Sequence, residues 1–149
     1  MRRLQQMTME LAADVVAIEQ VLYRYAYALD ARDYEALDEV FSPDAGLHTS
    51  GGTSMSPAEY KTMCEVELAK LDATHHMVTN RTVIVDGDRA TARAYFQAQH
   101  VKLSLKPDSQ FLMAGWVDDE LQRHADGWRI TDRRWHSAWS SGNPAVLGR

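Results

Sequence analysis

Four short stretches place ionisable side chains where buried chemistry could use them. They are Asp30 in ALDARD, the doublet His75-His76 in THHMVTN, His100 at the end of AYFQAQH, and Asp118 in GWVDDE. On a helix, Tyr23, Ala26, Tyr27 and Asp30 fall on one line, so Asp30 stands beside aromatic rings and not on the fully solvated side. It also sits near the partially negative C-terminal end of that helix, where a carboxylate needs a cation or an N–H donor facing it. The same residue reads equally as the start of an Asx-type turn before Arg32-Asp33.

Adjacent histidines on a strand point to opposite faces, so His75 and His76 cannot chelate one metal together. If Val78 and Ile84 face the core, His76 shares their face with Asn80, while His75 goes with Met77 and Thr79. On the next strand Ala94, Phe96, Ala98 and His100 share a face, and the two alanines leave room for a ligand. Leu112, Ala114, Trp116 and Asp118 share a face after that, and one charge in line with three apolar residues marks a candidate site. Trp135 and Trp139 alternate in step on the last strand. Each of these residues also has a structural reading: a satisfied core histidine, a solvated acidic edge at Asp118-Asp119-Glu120, core tryptophans. His75, His124 and His136 read as surface or packing residues and His48 is open, while Arg129, Arg133 and Arg134 could neutralise the acids. No nucleophile elbow, phosphate loop or dinucleotide fingerprint occurs, and no histidine pair has chelating spacing, so neither a metal nor an organic cofactor is expected.

The elements that must position these residues are legible in order. Residues 1–8 read as a loose lead-in, with Thr8 as the N-cap of a long helix. Leu11, Val15, Ile18, Leu22, Tyr25 and Leu29 form one apolar stripe that ends near Ala31. Asp33 can cap a short helix, Tyr34 to Val40, stopped by Ser42-Pro43-Asp44. An extended piece, Ala45 to Thr49, leads to a Ser50-Gly51-Gly52 turn. Ser56-Pro57-Ala58-Glu59 is a capping-box start for a third helix reaching about Leu71, with Tyr60, Met63, Cys64 and Leu68 on one side. Four strands follow, 74–85, 89–105, 110–125 and 128–140, with hairpin signals at Asp86-Gly87-Asp88 and Asp126-Gly127. Residues 141–149 read as a tail. The expected class is α+β: three N-terminal helices on the concave face of a curved antiparallel sheet, a cone-shaped roll in one domain over 1–149.

The bulk numbers agree with a single core. Of 149 residues, 45% are hydrophobic and 25% charged, and a chain of this size buries roughly two thirds of its unfolded surface. A net charge of -5 with no basic run argues against nucleic-acid or anionic-membrane partners. No apolar segment is long enough to span a bilayer, and no h-region follows Met1-Arg2-Arg3, so no signal peptide is expected. Cys64 is the single cysteine, which excludes a disulfide within the chain and points to a reducing cytoplasm.

The patterns ALDARDYEALDEVFSPDA, THHMVTNRTVIVDGDRATARAYFQAQH and DELQRHADGWRITDRRWHSAW, in this order, resemble the SnoaL-like group of the cone-shaped superfamily that includes nuclear transport factor 2. The nearest branch is that of scytalone dehydratase and hexachlorocyclohexane dehydrochlorinase. The resemblance covers about Leu11 to Asn143 and implies the cone fold. It also implies that Asp30 pairs with His76, which removes a proton from carbon, and that His100 matches a second active-site histidine. Asp118 stands where that branch has a substrate-holding asparagine, and Leu29 replaces a tyrosine.

The reading that follows is a cofactor-independent lyase, a dehydratase-like elimination on a small apolar or polycyclic substrate. An imidazole titrating near 6.5 can take the proton, and a buried carboxylate fixes its tautomer. Catalytic roles fall to Asp30, His76 and His100, with His100 as donor to the leaving group. Substrate contacts fall to Asp118, Phe96, Met113, Trp116, Trp135 and Tyr27, with Met55 and Met63 as further dry wall. The alternatives are proton transfer of the ketosteroid-isomerase or polyketide-cyclase kind, and a non-catalytic module binding a hydrophobic ligand. Tyr95, Val101 and Leu103 on the outer face suggest a homo-oligomer, a dimer or trimer.

Overall fold

The computed structural model describes residues 5–149; of the expected loose lead-in, residues 1–4 lie outside the described residues and 5–8 have no regular structure. Helix α1 (Met9–Ala31) starts as expected, with Thr8 Oγ1 accepting from the Leu11 N–H at 3.1 Å. It ends because Arg32 turns left-handed at φ 61, sending its N–H back to the carbonyls of Ala28 and Leu29. Ile18, Val21, Leu22, Tyr25 and Leu29 make up its buried stripe. The short helix that follows, Tyr34–Glu39, is a 3-10 helix, and Asp33 caps it without a side-chain hydrogen bond. In α2 (Pro57–Leu68) both arms of the expected capping box form, at 2.7 and 3.2 Å, and the helix stops three residues before Leu71.

The sheet differs from expectation in having six strands in the order β2-β1-β6-β5-β4-β3. Four of them are the expected meander: β3 (Ala73–Asp86), β4 (Arg89–Val101), β5 (Gln110–His124) and β6 (Gly127–Gly142). The second of these ends at Val101, four residues early, because Leu103–Leu105 closes into a 3-10 turn. The additional strands come from the stretch between the 3-10 helix and α2, where the expected helix stop joins the expected extended piece in one strand and a second short strand follows the Ser50-Gly51-Gly52 turn. β1 (Phe41–His48) runs parallel to β6, and the two-residue β2 (Ser54–Met55) pairs antiparallel with β1, so the sheet is mixed. Pro43 is accommodated where the β1–β6 register shifts, between Phe41 and Gly46, since it has no N–H for a regular ladder.

Register fixes which side chains face the helices. His76 lies opposite Ala98, Ala98 opposite Met113, and Thr74 opposite His100. Phe96 lies opposite Gly115, Val117 opposite Trp135, and Asp119 opposite Arg133. Those residues share the concave face, where the core of Leu22, Tyr25, Leu29, Phe41, Leu47, Tyr60 and Ile130 closes under α1 and α2. A bulge between Ala114 and Gly115 re-aims the end of β6. Gly115 is required there, because a Cβ would stand 1.9 Å from the His136 carbonyl oxygen. The tail covers part of the core: Pro144–Leu147 is a 3-10 turn that buries Val146. Among the described residues no helix is long and apolar enough to cross a membrane.

Candidate active site

β3 is the edge of the sheet, so alternate N–H groups along it have no strand to bond. At His76 that vacancy is filled by the last turn of α1. The His76 N–H donates to Asp30 Oδ2 at 2.8 Å, and its ring Nδ1 lies 2.7 Å from Asp30 Oδ1. The Thr74 hydroxyl adds a third donor at 3.0 Å, and Arg32 reaches Thr74 Oγ1 and the Leu71 carbonyl, both at 3.3 Å. The carboxylate that needed a donor at the helix end therefore has three. Burial alone would raise the Asp30 pKa, but the side-chain and backbone bonds from His76 outweigh it and hold it below the ordinary carboxylate value. An ionised Asp30 accepts only, so Nδ1 of His76 bears a proton, and in the neutral ring the lone pair is on Nε2.

The second histidine of the site is close by. The rings of His76 and His100 are 6.0 Å apart, edge to face. His100 is buried, and its Nδ1 donates to the Phe111 carbonyl at 3.2 Å. Burial, followed by the neighbouring His76, lowers the His100 pKa, so its ring is a neutral imidazole. A neutral ring whose Nδ1–H is already engaged is a poor acid, which does not favour the donor role expected for it.

Phe96, Met113 and Trp135 face the helices on this side of the sheet and remain partly exposed, as does His76, whose side chain keeps 11% of its surface. Behind them lie a pair of tyrosines that their sequence positions marked only as packing residues, and the neutralisation of one acid of β5 by Arg133 that was expected. Tyr25 and Tyr60 join hydroxyls at 2.7 Å; Tyr25 meets the His76 ring edge-on at 6.4 Å, and Tyr60 stacks on Trp135 at 5.4 Å. Burial pushes the Tyr25 pKa up to about 12 and Tyr60 well above its ordinary value, so both stay protonated donors. Beneath them Arg133, fully buried, is bonded twice to Asp119 at 2.7 Å, with its guanidinium 4.5 Å from the Tyr25 ring centre. Burial pushes the Asp119 carboxyl up against the pull of Arg133, and the guanidinium, held by Asp119, stays charged. Tyr25 on the stripe with Leu22 and Leu29, and Arg133 one step from Asp132, were the available signals.

Several expected contacts are not at this site. Asp118 and Trp116 lie on the convex face: Asp118 is bound by Arg93 at 2.6 and 2.8 Å and faces His136 at 3.1 Å, and Trp116 stacks on His136 at 4.9 Å. The inward phase of β5 is Phe111, Met113, Gly115, Val117, Asp119, so Asp119 is the buried acid of the run. Alternation alone could not choose, because both faces of β5 carry apolar residues. Tyr27 is 76% exposed on the solvent side of α1, and Tyr25 is the inward ring. Met63 is exposed at 40%, whereas Met55 packs against the core. The bulge turns Trp139 to the outer face, out of step with Trp135. His75 is exposed, and His48 bridges Ser54 and Asp132, each at 2.8 Å. Arg134 and Arg129 meet Asp132 and Asp126 and reach neither Asp118 nor Asp119.

Comparison with known proteins agrees with this architecture. The chain is 35% identical over 124 residues to an uncharacterized protein of Mycobacterium tuberculosis, covering 81% of this chain and 83% of that one. The fold is shared with a candidate scytalone dehydratase from Novosphingobium aromaticivorans, at TM-score 0.83 and 21% identity over 92% of both chains. It is also shared with a type 2 hexachlorocyclohexane dehydrochlorinase, at TM-score 0.78 and 16% identity, covering 91% of this chain and 92% of that one. The family described as SnoaL-like domain matches residues 10–134, and the chain belongs to that family.

Proposed function

We propose that the chain is a cofactor-independent carbon–oxygen lyase that eliminates water from a small, largely apolar or polycyclic substrate, with His76 as the carbon base. The observation that carries this reading is the double grip of Asp30 on His76, at 2.7 and 2.8 Å, which leaves Nε2 basic. Nε2 takes a proton from a carbon next to a carbonyl, and the electron pair forms the new double bond. The carbon–oxygen bond breaks, and the leaving hydroxide takes the proton back from the imidazolium as water. Asp30 stabilises the imidazolium between the two transfers. His100 contacts the substrate as a neutral ring, and His76 itself returns the proton to the leaving group. Phe96, Met113 and Trp135 bind the apolar body. The dehydratase and dehydrochlorinase neighbours support elimination, and isomerase or cyclase chemistry uses the same first step with a different fate for the carbanion. A reducing cytoplasm is the compartment we propose, with Cys64 as the thiol.

The test is a panel of β-hydroxy ketones and hydroxylated ring ketones, followed by the ultraviolet band of the conjugated product. Wild type is expected to dehydrate at least one member, and His76→Gln to lose about 10²–10⁴-fold in rate. Turnover by folded His76→Gln at the wild-type rate rejects the assignment. Tight binding of panel members with no turnover by wild type favours the binding-module alternative.

A further inference from the structure

The β2 end of the sheet brings together three side chains that the concave site does not use. Ser54 on β2 lies opposite His48 on β1, and Asp132 lies on β6, the next strand over. The Thr49 N–H bonds the Thr53 carbonyl at 2.9 Å, so the alternating ladder leaves His48 and Ser54 as a pair without backbone bonds between them, the kind whose side chains stand closest. His48 Nδ1 lies 2.8 Å from Ser54 Oγ, and His48 Nε2 lies 2.8 Å from Asp132 Oδ1. Gly46 makes this possible. A Cβ there would stand 2.9 Å from His48 Nε2 and 3.1 Å from Asp132 Oδ1, wedged into their bond.

The positions of the protons follow from the acceptor. A carboxylate cannot donate, so Nε2 of His48 carries the proton and Nδ1 presents its lone pair to the Ser54 hydroxyl. That is a nucleophile, a base and an orienting acid in line, with the two ring nitrogens exchanging the roles they have in the usual serine triad. The group is reachable: Ser54 is exposed, and the His48 and Asp132 side chains keep 26% and 27% of their surface. The Ser54 N–H, in the same unbonded pair, points off the free edge of β2 and is a donor for an oxyanion formed at Ser54. Arg134, in register with His48 and 3.5 Å from Asp132 Oδ2, adds positive charge on this face. Asp132 and Arg134 also border a recess of about 680 Å³ that runs across the face to Tyr95 and Thr82, room for the body of a substrate.

We propose that Ser54, His48 and Asp132 form a second catalytic site, on the opposite face of the sheet from His76, that hydrolyses small carboxylic esters. Nδ1 of His48 takes the Ser54 proton as Oγ attacks the ester carbonyl, and the carbonyl electron pair moves onto oxygen. That pair returns, the carbon–oxygen bond to the alcohol breaks, and the alkoxide leaves with the proton from Nδ1. Water then attacks the acyl-serine and gives its proton to Nδ1; the carboxylic acid departs as Ser54 Oγ takes that proton back. Asp132 holds the imidazolium and its orientation through both transfers. The site does not depend on the reaction assigned above.

The test uses p-nitrophenyl acetate, followed by release of p-nitrophenolate, and a fluorophosphonate whose adduct is located by peptide mass spectrometry, with circular dichroism for fold. Wild type is expected to release p-nitrophenolate faster than buffer and to carry the phosphonyl group on Ser54. Ser54→Ala should lose the adduct and fall to the buffer rate, and His48→Gln should lose about 10²–10⁴-fold. Asp132→Asn should lose activity because the amide no longer sets the ring, and Gly46→Ala because its Cβ displaces the ring from Asp132. Ser104→Ala, which removes an exposed serine of the 103–105 turn, should behave as wild type. If Asp132→Asn or Gly46→Ala unfolds, Ser54→Ala and His48→Gln decide. Wild type that leaves Ser54 unlabelled, labelling of another residue in its place, or hydrolysis that folded Ser54→Ala sustains at the wild-type rate overturns the proposal, as does folded His48→Gln with the rate and labelling of wild type.

Discussion

Asp30 grips His76 at two points, its Oδ2 on the backbone N–H at 2.8 Å and its Oδ1 on ring Nδ1 at 2.7 Å. One bond holds the strand against the helix end and the other sets the tautomer, so position and tautomer are fixed by the same carboxylate. Long-range ¹H–¹⁵N spectra at neutral pH should show His76 protonated at Nδ1 and bare at Nε2. In Asp30→Asn the amide no longer requires that tautomer, and a mixture is expected. A wild-type ring protonated on Nε2 would remove the base.

His100 makes stability depend on pH. Burial holds its folded pKa below the ordinary imidazole value of about 6.5, so just below that pH the unfolded chain binds a proton that the folded chain does not. Stability is therefore full above about 6.5 and falls as pH falls toward the lowered folded value. Thermal melts of wild type should drop across this window, and those of His100→Gln should drop less. Equal slopes would mean that His100 is not the group responsible.

The two neighbouring acids of β5 should respond very differently to removal. Asp119→Ala leaves the Arg133 guanidinium buried without its partner, a change that costs about 3–5 kcal/mol. Asp118→Ala breaks a convex-face pair with Arg93, whose side chain is 57% exposed, and should cost no more than about 1 kcal/mol. Urea denaturation of the two variants measures both; the reverse ranking would mean that the register of β5 is wrong.

Cys64 should be chemically silent in the folded protein. Burial pushes its thiol up to about 11, so little thiolate exists near neutrality. An aromatic disulfide reagent is expected to label it only after denaturation, and fast labelling of native protein would contradict this.

How far the sequence could be read depended on whether a residue's local pattern had one solution. The α1 stripe, the Ser56–Glu59 capping box and the two hairpin turns did, and each element formed within a few residues of expectation. Phe41–His48 did not, because its pairing partner β6 lies more than eighty residues away and Pro43 suggests a break when read alone. Asp30 stood out as a helix-end carboxylate that needs a donor and the doublet as one ring to each face, whereas the pairing of Asp30 with His76 was implied by the resemblance to the dehydratase branch. Asp118 was mistaken for a site acid because strand phase is invisible where both faces carry apolar side chains. The bulge at Gly115 likewise uncoupled Trp139 from Trp135, and no pattern within β6 announces it.

The most direct test of His76 as a carbon base needs no knowledge of the final product. Cyclic ketones incubated with the protein in D₂O report proton abstraction as loss of the α-proton signal by ¹H NMR. Wild type is expected to catalyse exchange at the carbon beside the carbonyl, with His76→Gln slower by about 10²–10⁴-fold and Asp30→Asn intermediate. Exchange at the same rate in wild type and folded His76→Gln, or no exchange in any ketone that wild type binds, would contradict the account.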